Sequence, residues 1–142
     1  MKIPFAGGCA CGAIRYECAE EPLRIYHCHC TDCHKATGSA FHTGLLVARD
    51  AVTLEGATPR TWDSPTDSGN TVTEAFCGTC GSPIYVCSTA RPTHMSLKAG
   101  SLDDPRAIEA STQIWTRSAV GWQDTSRATE KHEAGVPPST VT

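Results

Sequence analysis

The sequence predicts a mainly β domain, and three observations carry that expectation. Short runs of apolar, β-branched and aromatic residues alternate with polar ones. Clusters of Gly, Pro, Asp and Ser separate these runs, and the spacing between them leaves little room for helices. The 142 residues fit one domain with one modest core. In residues 13–18, Ile14, Tyr16 and Cys18 share one face, and Arg15 and Glu17 share the other, the pattern of a half-buried strand. Further strands are expected at residues 44–48, 52–55, 71–76, 83–87, 94–99 and 112–116. A short helical turn fits residues 31–37, with Thr31 as its cap and Gly38 as its end. A second fits residues 104–109, after a turn at Asp103. No repeat or internal boundary is visible. The expected organisation is one domain over residues 1–125 and a polar, loose tail over residues 126–142.

Net charge is −3, and Lys and Arg are scattered without a basic stripe, so nucleic acid is not an expected partner. No apolar stretch is long enough to span a membrane. The N-terminal residues lack the apolar core of an export signal, which points to the cytoplasm. Nine cysteines are many for such a chain. An odd number without an export signal favours metal ligands over a disulfide framework.

The cysteines form three clusters: Cys9-x-Cys11-Gly12, Cys28-x-Cys30-x-x-Cys33 and Cys77-x-x-Cys80-Gly81. The first and third end in Gly directly after the last cysteine. A backbone that folds over a metal-bound sulfur needs the positive φ that Gly permits. The third lies between two strand-like runs and reads as a hairpin tip. Pairing these two turns gives Cys9, Cys11, Cys77 and Cys80, a closed tetrahedral four-thiolate site suited to a structural Zn²⁺.

The middle cluster has three cysteines and no following Gly. Three thiolates leave one coordination position open, as a catalytic zinc requires. The alternative is a closed site completed by His27, His29, His34, His42 or His94. His29 is the weakest of these, because it points away from its flanking cysteines in an extended segment. Counting residues leaves open and closed sites level.

The order of these motifs resembles the glutathione-dependent formaldehyde-activating enzyme (GFA) family, whose domain also occurs in the centromere protein V (CENP-V) group. The matching residues are Cys9-Ala10-Cys11-Gly12, His27-Cys28-His29-Cys30-Thr31-Asp32-Cys33, Gly38-Ser39-Ala40-Phe41 and Phe76-Cys77-Gly78-Thr79-Cys80-Gly81-Ser82-Pro83. The likeness runs from about Gly8 to Trp122. It implies a β-tent fold of small antiparallel sheets clasped by a structural zinc on Cys9, Cys11, Cys77 and Cys80. It implies a catalytic zinc on Cys28, Cys30 and Cys33, and with it the open site. The implied activity is that of a carbon–sulfur lyase or synthase joining glutathione to formaldehyde as an S-hydroxymethyl adduct. Two departures touch the substrate rather than the metals. His34-Lys35 stands where members often carry Arg-Lys, and Gln113-Ile114-Trp115 stands where they often carry His-Ile before a late Trp.

The chemistry is coherent. A zinc with three thiolates carries a formal charge of −1, which makes it a weak Lewis acid but a good host for a soft sulfur ligand. A thiol entering the fourth position loses its proton and can add to a small aldehyde. His27, His29 and His42 are the candidate proton donors, with His29 carried forward as the catalytic group. Glutathione would need basic or backbone contacts. Lys35, Gly38 and Trp115 are the leading candidates, with Arg60, Lys98 and Arg117 behind them. Each basic residue is weighed against being an ordinary solvated charge, and Trp115 and Trp122 against being core. Phe41 reads as core, and Cys18 and Cys87 as buried free thiols. The rival readings are a zinc-stabilised interaction module and a thiol or zinc sensor.

Overall fold

The protein is described here from a computed structural model covering residues 1–124 and 130–136. Its strands are β1 (Phe5–Gly8), β2 (Ile14–Cys18), β3 (Arg24–Cys28), β4 (His42–Ala48), β5 (Val52–Gly56), β6 (Arg60–Pro65), β7 (Thr71–Phe76), β8 (Pro83–Ser88), β9 (His94–Lys98), β10 (Thr112–Ile114) and β11 (Glu130–Lys131). One helix, α1 (Thr31–Thr37), joins β3 to β4. The expected alternation in β2 holds: Ile14, Tyr16 and Cys18 are buried, while Arg15 and Glu17 are exposed. Gly38 ends α1 in the left-handed region, as expected, but the cap is Cys30 rather than Thr31. The turn expected at 104–109 is a single 3₁₀ turn, Pro105–Ala107, capped by Asp104.

The strands form two sheets, a three-stranded one in the order β1-β2-β5 and an eight-stranded one in the order β11-β10-β3-β4-β9-β8-β7-β6. Pairing is antiparallel except at β10, which runs parallel to both β3 and β11. Phe5, Ile14, Tyr16 and Cys18 of the small sheet join Leu45, Val47, Ile84 and Leu97 of the large sheet in one core. Burial of such side chains, worth roughly 1.5–3 kcal/mol each, holds the two sheets together. The small sheet thus covers one face of the large sheet.

The other face positions the site. Register places Tyr26, Gly44 and Lys98 opposite one another on β3, β4 and β9, with Cys28 opposite His42. Leu46, Ser96, Val86, Glu74 and Trp62 continue the same face across to β6. Residues directly opposite in a ladder point to the same side.

Part of the expected loose tail is ordered against the sheet. Glu130–Lys131 pairs with β10, and His132 N donates to Gln113 O at 2.9 Å. Arg24 Nη1 lies 3.1 Å from Glu130 Oε2. This strand owes its existence to pairing and to that ion pair, neither of which leaves a local sequence signal. The remaining tail residues, 125–129 and 137–142, lie outside the described residues. No helix among the described residues is long and apolar enough to cross a membrane.

Candidate metal centres and cavity

The four-thiol cluster assembles where the two sheets meet. Cys9 and Cys11 lie in the turn between β1 and β2, and Cys77 and Cys80 in the turn between β7 and β8. Gly12 and Gly81 have φ of 80° and 77°, and a Cβ at either would meet nothing within 4 Å. The requirement for glycine there is therefore conformational rather than spatial. The four sulfurs lie within 4.8 Å of one another. Cys11 Sγ is 3.6 Å from Cys9 Sγ and 3.7 Å from Cys77 Sγ. A tetrahedron with metal–sulfur bonds of about 2.3 Å has edges of about 3.8 Å, so the donor set fits a zinc-sized ion. Amides support the sulfurs: Ile14 N donates to Cys9 Sγ and Thr79 N to Cys77 Sγ. The Ser82 hydroxyl and amide hold the Cys80 thiol down to about 5.

The second cluster has a different origin. Cys28 ends β3, Cys30 caps α1 and Cys33 lies in its first turn, with Cys33 N donating to Cys30 Sγ at 3.3 Å. The three sulfurs lie within 4.8 Å of one another, and no histidine nitrogen among the described residues completes the group. Cys30 is the first of the three to ionise. The thiols of Cys28 and Cys33 and the amides of Cys33 and Asp32 stabilise its thiolate. Cys28 and Cys33, which donate to that thiolate, are pushed up. Three ionised sulfurs so close together need a cation among them, so this donor set also fits a metal. All nine cysteines are free thiols, including buried Cys18 and Cys87, as expected for them.

The trio opens onto a cavity of about 1020 Å³ over the uncovered face of the large sheet. Its lining includes the polar side chains of Tyr26, His42, Ser96 and Glu74. Leu46, Val72, Val86 and Trp62 follow, and Lys35, Arg91 and Arg117 are the cations that line it. Trp115 lines it too, held at φ 57°, an uncommon conformation for a bulky residue. The Arg117 guanidinium stacks 4.6 Å from the centre of its ring.

The other expected site residues fall elsewhere. His29 is fully buried, with Nε2 donating to Gln113 Oε1, and it does not line the cavity. Adjacent strand residues face opposite sides, so the placement of Cys28 in the site turns His29 away from it. His27 stacks on Phe41 and bonds Thr43, also outside the lining. Among the three proton-donor candidates only His42 faces the cavity, and burial, with Lys98 nearby, pushes it down to about 3. It is therefore neutral at physiological pH. Lys35 lines the cavity, whereas Gly38 ends α1 outside it. Phe41 is only half-buried, and Trp122, weighed as core, is 72% exposed. Lys98, weighed as a surface charge, is 4% exposed and lies 2.8 Å from Glu74 Oε2. That contact has the distance of an ion pair without the angles of a formed hydrogen bond.

Sequence reasoning missed Tyr26, Ser96 and Glu74. The available signal was the polar member of each alternating pair, as in His94-Met95-Ser96-Leu97-Lys98, which marks a face that is not ordinary core.

Comparison with known proteins agrees with this architecture. A solved structure of a Rhodobacter sphaeroides protein, a structural-genomics target, aligns at a TM-score of 0.58 with 19% identity, over 74% of this chain and 96% of that one. At that identity the likeness shows the fold. The family description "Glutathione-dependent formaldehyde-activating enzyme" matches residues 4–118, which include both cysteine clusters. The chain belongs to the glutathione-dependent formaldehyde-activating enzyme family.

Proposed function

We propose that the protein is a zinc-dependent carbon–sulfur lyase or synthase. It joins a thiol, glutathione foremost, to a small aldehyde such as formaldehyde and also cleaves that adduct. The observation that carries this reading is the three-sulfur cluster, without a fourth ligand among the described residues, set at the wall of a large cavity. Family membership supports the choice of glutathione and formaldehyde. The abundance of free thiols supports a reducing compartment, the cytoplasm.

Cys9, Cys11, Cys77 and Cys80 would hold a structural zinc, and Cys28, Cys30 and Cys33 a second ion. Bound to the trio, zinc supplies an open position that takes a substrate thiol as its thiolate. The chain's own residues do the rest. Amides of Asp32 and Cys33 in the first turn of α1 stabilise the Cys30 thiolate. The cavity holds the thiol substrate alongside the aldehyde, turning their encounter into a local one. Lys35, Arg91 and Arg117 offer charge to the glutathione carboxylates, and Trp115 offers an apolar wall. The thiolate lone pair forms the C–S bond, the carbonyl π pair moves onto oxygen, and a proton completes the hydroxyl.

The test is metal content and adduct exchange in the wild type and in a Cys28/Cys30/Cys33→Ser variant. Zinc per chain should fall from two to one with the fold retained. Exchange between glutathione and formaldehyde, followed by NMR, should exceed the spontaneous rate only with the trio intact. Equal rates would remove the activity and leave an interaction or sensing module as the reading.

A further inference from the structure

The cavity floor carries polar side chains that neither cysteine cluster uses. Tyr26, His42, Ser96 and Glu74 line it, and Lys98 pairs with Glu74 on the same sheet face. Buried polar groups cost stability unless they are satisfied, and aliphatic residues fill the opposite face at no such cost. Backbone space is also given up here. A Cβ on Gly44 would stand 2.6 Å from His42 Nε2 and 2.8 Å from Tyr26 Cζ, so a bare strand position lets both rings lean over it. The two rings meet edge to face, 5.6 Å apart, which fixes the phenol's direction.

The Tyr26 hydroxyl lies 2.7 Å from Ser96 Oγ and 3.4 Å from His42 Nε2. When Ser96 donates to the phenolic oxygen and His42 carries its proton on Nε2, the Tyr26 proton is left for an acceptor in the cavity. Tyr26 precedes Cys28 by two residues on β3, so both side chains leave the strand on the same face. Tyr26 and the three cysteines line the same cavity.

We propose that Tyr26 is a catalytic residue whose hydroxyl, oriented by Ser96, donates a hydrogen bond to the oxygen of the aldehyde adduct. The inference rests on the thiol–aldehyde reading of the site. As the thiolate lone pair forms the C–S bond, the carbonyl π pair becomes an oxyanion, and Tyr26 meets that charge where it develops. Solvent supplies the proton that completes the hydroxyl. In reverse, the bond to Tyr26 steadies the same oxyanion while the C–S bond breaks.

The experiment uses the zinc-loaded protein and two thioethers, S-(2-hydroxyethyl)glutathione and S-ethylglutathione, with affinities measured by calorimetry. The wild type should prefer the hydroxyl-bearing compound by about tenfold, the worth of one well-placed hydrogen bond. Tyr26→Phe should lose that preference while binding S-ethylglutathione as the wild type does. In adduct exchange its kcat should fall about 100-fold with KM for glutathione and zinc content unchanged. Ser96→Ala keeps the phenol but loosens it, so the preference should shrink and kcat should fall less. If Tyr26→Phe does not fold, Ser96→Ala decides alone, and wild-type behaviour in it overturns the assignment. If both thioethers bind and Tyr26→Phe matches the wild type, the assignment of Tyr26 falls and the glutathione reading stands. If neither thioether binds the wild type, the glutathione reading falls and takes this inference with it.

Discussion

Cys9, Cys11, Cys77 and Cys80 come from two loops that belong to different sheets, whereas Cys28, Cys30 and Cys33 come from the end of one strand and the start of one helix. The first group links residues far apart in sequence, one pair in a turn of the small sheet and the other in a turn of the large one. The second is a local feature that fastens nothing together. It opens onto a cavity rather than onto a neighbouring loop. The two groups differ in what they bring together and in how many sulfurs they hold. Four sulfurs complete a coordination shell, and three leave room for a visitor.

The comparison is broken most directly by Cys77→Ser. A structural zinc contributes on the order of 10 kcal/mol to folding, about the whole stability of a domain this size. The variant should lose its β-sheet circular dichroism and its amide dispersion. A folded Cys77→Ser protein with one metal fewer would erase the distinction between the clusters. A milder probe is chelation, which should remove the trio's ion first and leave the melting transition largely in place. Simultaneous loss of both ions, measured by metal release, would contradict the division.

The cavity floor sharpens the comparison further. Glu74→Gln leaves the Lys98 ammonium buried beside an amide and should cost roughly 3 kcal/mol in chemical denaturation. Metal content should not change, because neither residue belongs to either cluster. Gly12→Ala forces a Cβ into the left-handed region and should cost about 1–2 kcal/mol of thermal stability. It should also weaken metal retention, since the turn shapes the clasp. Gly38→Ala carries a similar backbone cost at the end of α1, yet should leave metal retention as it is.

The smallest effect lies at β11. His132, followed by Arg24, holds the Glu130 carboxyl below its usual range. That contribution is present above the ordinary carboxylate range and is lost as pH falls through the lowered value. Protection of the His132 amide against exchange should therefore drop in acid before the sheet melts.

The partition of the cysteines was legible because its cause is local. A glycine directly after a ligand reports the turn that holds it, and its absence after Cys33 reports a helix start. Strands with their own alternation, such as β2 and β7, were legible for the same reason. β1 carries two glycines, β6 is an exposed edge and β11 has two residues, so nothing in their own composition marks them as strands. β3 escaped notice because its alternation runs into the ligand cluster. The polar floor was harder still. Tyr26, Gly44, Ser96 and Lys98 meet only through the register of β3, β4 and β9, which sequence spacing does not contain.

The open position beside Cys28, Cys30 and Cys33 is tested most directly by replacing zinc with cobalt and recording the visible spectrum before and after adding glutathione. The d–d bands and the sulfur-to-cobalt charge-transfer intensity should change to those of a second four-sulfur centre, and the Cys28/Cys30/Cys33→Ser variant should show no such change. A wild-type spectrum that stays the same at saturating glutathione would contradict the open site.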